Sequence, residues 1–133
     1  SGTPLYINTS TGQLGLLSSS RRYKESIREL IDISWIYKLN PVSFIYKKDR
    51  DFGTQYGLIA EEVEKVNKDF VTYNSEGLVE SVRYNLFVPV LIETVQKQNE
   101  KIEEQKKTNE QLEKEIEYLQ EQINLIKEEL TKN

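Results

Sequence analysis

The chain has 133 residues, 18 basic and 22 acidic, for a formal net charge of −4; that length holds one small domain plus one long helix rather than two domains. Histidine and cysteine are both absent, which removes the usual zinc ligand and general base and excludes disulfides, so no metal or other cofactor is expected. With no basic run longer than a pair such as Arg21-Arg22, no nucleic-acid footprint is expected either.

Ser1-Gly2 reads as a cloning scar, which would make the chain an excised C-terminal piece of something larger. Leu5-Tyr6-Ile7 predicts a short strand, Asn8 to Gly12 a turn, and Leu14 to Leu17 a second apolar piece. Residues 1–18 therefore read as the end of an upstream β-structured region. Ser18-Ser19-Ser20 is a loop and helix-start signal. Ile27, Leu30, Ile31, Ser34, Trp35 and Lys38 recur at helical spacing over residues 25–38, and Pro41 ends that helix, because a residue before proline avoids the helical region. Val42, Phe44 and Tyr46 alternate as one face of a strand, and Lys47 to Gly53 is a charged turn. Gly57 to Val66 predicts a short helix with Leu58, Ile59, Val63 and Val66 inward. Phe70–Tyr73 and Leu78–Tyr84 predict two strands about a turn at Asn74 to Gly77. No apolar run approaches membrane-spanning length and no signal peptide opens the chain, so no membrane partner is expected.

The last third carries the strongest periodicity. Val88, Val95, Ile102, Asn109, Ile116, Ile123 and Leu130 are seven apart, and Leu91, Gln98, Gln105, Leu112, Leu119 and Ile126 fill the second position. A repeat of 3.5 residues is what a coiled coil needs and what a helix on a globular core does not sustain. A long helix is predicted over residues 85–133, with Asn85 as N-cap and Pro89 in the first turn. The polar layers Gln98, Gln105 and Asn109 weaken the middle of the seam and bear on register and strand number, while mixed Ile and Leu does not decide between two and three strands. The fold class expected is α+β: a small mixed globular domain, residues 19–84, and a long coiled-coil helix, residues 85–133.

Two constellations could carry chemistry. In Ser19-Ser20-Arg21-Arg22-Tyr23-Lys24 a serine and a lysine can form a nucleophile–base pair if the chain turns between them. A lysine is a base only when neutral, a state favoured by burial and nearby cations; Arg21 and Arg22 are candidates for those cations. On spacing alone, a serine-rich loop capping a helix accounts for the same residues. The carboxylates Glu61, Glu62 and Glu64, flanked by Asp49, Asp51 and Asp69, are more simply the solvent face of an amphipathic helix. No phosphate-binding glycine loop appears.

The order of signals is more specific than any one of them: Ser-Ser-x-Arg-x-Lys, Leu39-Asn40-Pro41-Val42-Ser43-Phe44, Tyr56-Gly57-Leu58-Ile59-Ala60-Glu61-Glu62-Val63, Tyr84-Asn85-Leu86, then heptads. Over nearly all of residues 14–133 this resembles the C-terminal intramolecular chaperone domain of phage tailspikes, tail fibres and neck appendages, the auto-processing endosialidase type. The resemblance implies a homotrimer that templates folding of an upstream β-helical spike domain of the same polypeptide. The seam would comprise Val95, Ile102, Asn109, Leu112, Ile116, Leu119, Ile123, Ile126 and Leu130. It then implies self-cleavage by a single-turnover Ser-Lys peptidase, with Ser19 as nucleophile, Lys24 as base, and Arg22 and Ser20 in support. The bond would be Ser18–Ser19, or Ser19–Ser20. The family commonly has aspartate where this chain has Ser20, which implies slow processing. The setting implied is the host cytoplasm during virion assembly, with release from the mature virion protein. The alternative is a permanent, non-catalytic trimerisation or attachment module of a viral fibre.

Overall fold

In the computed structural model, residues 5–7, 11–16 and 18–133 are described; Ser1-Gly2 and part of the turn expected at Asn8 to Gly12 lie outside them. The chain forms two compact units, Ser1–Ile31 and Asp32–Asn133.

In the first unit, β1 (Leu5–Ile7) and β2 (Leu14–Leu16) pair antiparallel with Leu5 opposite Leu16 and Ile7 opposite Leu14. All four of those side chains are exposed. A two-stranded hairpin without further strands is marginal in water. A 3-10 turn, Arg21–Tyr23, follows.

The helix expected over residues 25–38 does not form. Ser26 has φ 51°, a left-handed backbone that a right-handed helix cannot contain. Ile27 and Leu30 stay largely exposed, so no packing rewards coiling, and a short helix without packing is unstable in water. Only a 3-10 helix, Ser34–Lys38, remains. It starts where the Asp32 carboxylate accepts from the Ser34 hydroxyl at 3.0 Å and the Ser34 N–H at 3.4 Å.

The second unit is built from hairpins and two helices. β3 (Val42–Phe44) pairs antiparallel with β4 (Gln55–Gly57), a strand the sequence pattern does not announce. Helix α1 (Ala60–Val66) is followed by β5 (Val71–Tyr73) and β6 (Val79–Val82), also antiparallel. Their turn is made by Asn74, whose Oδ1 accepts from the N–H groups of Glu76 and Leu78, both at 3.0 Å, with Gly77 at φ 78°. The core is Val63, Val71, Val82 and Phe87, with Trp35, Leu39, Leu58, Ala60, Phe70 and Val79 packed around it. The Trp35, Phe70 and Phe87 rings stack tilted, centroids 4.6 Å and 4.8 Å apart in chain order, close enough to add pairwise attraction to their burial.

Helix α2 runs Phe87–Thr131, 45 residues, about 68 Å at the standard rise. Its N-cap is Leu86, one residue later than the Asn85 expected, because Tyr84–Leu86 forms a 3-10 turn first. Pro89 falls in the first turn, where its missing N–H costs no helical bond. Phe87, Val90 and Thr94 are buried against the globule, while Val88, Leu91, Ile92 and Val95 are exposed. From Gln98 to the end every side chain is exposed except Gln122, which is half-buried. Gln98 donates to the Tyr37 hydroxyl at 3.3 Å and Gln105 donates to Asn109 at 2.8 Å, so the polar seam positions find partners within the chain. Small antiparallel sheets and a long C-terminal helix make this an α+β protein.

Candidate functional site

A single turn of backbone decides where Lys24 goes. Tyr23 N–H donates to the Ser20 carbonyl and Lys24 N–H to the Arg21 carbonyl, both at 3.0 Å. The chain then leaves in extended conformation at Lys24. This reversal carries the Lys24 ammonium back to Ser19, where Nζ donates to Oγ at 2.9 Å. That separation suits proton transfer in either direction once the lysine is neutral. Ser20 makes no side-chain capping bond, so its hydroxyl is not committed to holding the turn. Arg22 lies over the Tyr23 ring, 4.9 Å from its centroid. Ser19, Ser20, Arg22 and Lys24 are all exposed.

The carboxylates do not gather in this way. Among the described residues no group of three acidic side chains is placed to hold a metal ion. Glu64 instead accepts a hydrogen bond from the Tyr73 hydroxyl at 2.9 Å. That bond, some burial and the charge of Glu64 together raise the Tyr73 pKa above its ordinary 10.0. No helix among the described residues is long and apolar enough to cross a membrane.

A second feature went unread in the sequence. The Tyr84 hydroxyl accepts from the Leu58 N–H at 2.8 Å, and a Cβ added at Gly57 would stand 2.5 Å from that oxygen. Gly57-Leu58 and Tyr84 are thus halves of one joint, which fastens the start of α1 to the start of α2. The glycine is needed for close approach, not for backbone freedom. Beside the joint lies an apolar groove of about 750 Å³, lined by Leu39, Val42, Tyr56, Leu58, Phe87 and Leu91 among others.

Residues 19–72 match the family model for the chaperone of endosialidase, a peptidase family by name. Over this segment the chain is similar to the endosialidase-chaperone family. The match opens at Ser19 itself, takes in Lys24 and the Gly57 to Val63 stretch, and stops within β5. The resemblance drawn from the order of motifs is borne out for these residues, and the match supports an intramolecular chaperone role. No curated protein matches the chain.

Proposed function

We propose that this chain assembles as a parallel homotrimer through α2, templates folding of an upstream β-helical spike domain in the same polypeptide, and then cuts itself free. What supports the cutting most directly is the 2.9 Å contact between Ser19 and Lys24 within the family segment. What supports assembly is a 45-residue helix whose seam, Ile116 and Ile123 included, lies open to solvent in the single chain.

The chaperone logic is kinetic. Interwound β-structure rests on non-local contacts, so it nucleates slowly and exposes strand edges meanwhile. A helix forms from local contacts, and a coiled coil then holds three chain ends together at high effective concentration. Removing the template afterwards leaves a product that is slow to unfold and cannot readily reform. The work belongs in the host cytoplasm during virion assembly, where the released chaperone stays behind.

The cutting step follows from bond geometry. Ser19 Oγ attacks the carbonyl carbon of Ser18, closing a five-membered ring, while its proton passes to neutral Lys24. The Ser18–Ser19 C–N bond breaks, and the nitrogen takes the proton back from the lysine. Water then hydrolyses the ester, giving a Ser18 carboxylate and restoring the hydroxyl. Attack by Ser19 of a neighbouring chain would open the Ser19–Ser20 bond instead. Water reaches both side chains in the single chain, and a drier setting is what favours the neutral lysine that can accept the proton. Processing is therefore expected to follow assembly.

A denaturing gel of a longer chain carrying the upstream domain tests this, wild type beside Ser19→Ala. The expected result is two fragments from wild type and one intact band from the variant. Two fragments from both would remove Ser19 from the reaction. One intact band from both, with trimer present, would favour the second reading, a permanent attachment module, toward which Ser20 in the usual aspartate position already points.

A further inference from the structure

The first turns of α2 break the pattern of the rest. In each heptad the positions beside the seam are the residue before the first core position and the residue after the second. From Thr94 to Glu129 every such position is polar or charged, as expected at the edge of a coiled coil. Phe87 and Ile92, at the start, are apolar. In a parallel coiled coil the residue before one core layer stands against the residue after the next core layer on the neighbouring strand. Phe87 of one chain therefore faces Ile92 of another.

Phe87 and Leu91 are also walls of the apolar groove. The rest of that groove comes from the globular domain: Leu39, Val42, Tyr56 and Leu58. Leu91 is thus a seam residue and a groove residue at once, so the groove opens onto the seam without a gap. Ile92 is 55% exposed in the single chain, and Val88 beside it is 57% exposed. An apolar residue at a flanking position and an apolar slot at the register where its counterpart falls are two independent observations that point to one occupant.

We infer that Ile92 of a second copy seats in this groove, making the globular domain part of the interface between copies. The inference rests on parallel association through α2. It adds that the coil and the domain assemble as one surface. An antiparallel pair would carry Ile92 to the far end of its partner and leave the groove open.

The absence of cysteine from the chain gives a clean test. Chains carrying Val42→Cys or Tyr56→Cys are co-expressed with chains carrying Ile92→Cys and oxidised gently. A disulfide between unlike chains is expected on a non-reducing denaturing gel, and none is expected when Gln96→Cys, on the outer face, replaces Ile92→Cys. In parallel, Ile92→Lys is expected to weaken association roughly tenfold or more by sedimentation equilibrium, the loss expected for one buried isoleucine. The monomer should keep its fold, since Ile92 is not in its core. An assembled coil with no cross-link and unchanged affinity in Ile92→Lys overturns the groove assignment alone. A cross-link to Ile27→Cys in place of Ile92→Cys gives the groove to another segment and overturns it too. An unmutated chain that stays monomeric at high concentration overturns the assembly reading beneath it as well.

Discussion

Ser19 and Lys24 meet because one 3-10 turn lies between them, and nothing distant in the fold is needed to bring them together. Spacing alone did not separate the pair from a serine-rich loop capping a helix; the resemblance in the order of motifs is what assigned Ser19 and Lys24 their roles. Lys24→Arg separates a base from a mere cation, since arginine keeps the charge but cannot become neutral near pH 7. Processing should stop while assembly persists; a variant that still cleaves would limit Lys24 to charge or packing. Ser20→Asp restores the residue the family commonly has and should raise the cleavage rate, read as fragment accumulation over time. Tyr73 carries a different test. Its raised pKa means that its bond to Glu64 adds stability in full below pH 10.0 and loses it as the pH rises through the shifted value. The melting-temperature gap between wild type and Tyr73→Phe should therefore be steady at neutral pH and shrink under alkaline conditions. A gap that widens there would mean that the phenol is not held by Glu64. By contrast the Tyr84–Leu58 bond spans 26 positions, and no spacing rule pairs residues so far apart. Both halves were visible as motifs, but not their contact.

At the scale of elements, Gly57 is a position where a single methyl group would disturb the joint between two elements. Its Cβ would meet the Tyr84 hydroxyl at 2.5 Å and the Phe44 ring at 3.3 Å, so Gly57→Ala should destabilise the domain by about 1–3 kcal/mol, the usual cost of overpacking. In a Tyr84→Phe background the nearer obstacle is gone. The alanine should then cost less, with a coupling of more than about 0.5 kcal/mol in a chemical-denaturation cycle. Additive effects would place the strain elsewhere. The elements that the sequence foretold are those with a local cause: the Asn74–Gly77 turn, α1, the β5 and β6 pair, and the long helix. Those it misread depend on surroundings. The stripe at Ile27, Leu30 and Ile31 has helical spacing, yet Ser26 turns left-handed and the first two side chains remain largely uncovered. The strand Gln55-Tyr56-Gly57 has no apolar alternation because its order comes from pairing with Val42–Phe44.

For the whole molecule, the seam from Leu112 to Leu130 is its longest unbroken apolar run of core positions, and a charge there tests assembly without touching the globule. Ile116→Asp or Ile123→Asp would bring like charges together in a core layer with no partner to neutralise them. Sedimentation should show a folded monomer in place of a trimer. If processing awaits assembly, the same substitutions should also leave a longer chain uncut, though Ser19 and Lys24 are intact. Efficient cleavage by such a monomer would show that the pair is competent alone.

The bareness of α2 beyond Lys97 has a thermodynamic consequence. A helix segment that buries almost nothing within its own chain has only its intrinsic propensity to hold it, and that is a weak force in water. Its order is then set by how many copies share the same volume. Dilution should melt the far half of the helix, read by far-UV circular dichroism, while the Trp35, Phe70 and Phe87 cluster keeps its near-UV signal. If copies assemble through α2 as proposed, the helix would act as a census of nascent chains: straight when enough copies are present to begin a fibre, and unwound when one chain is alone.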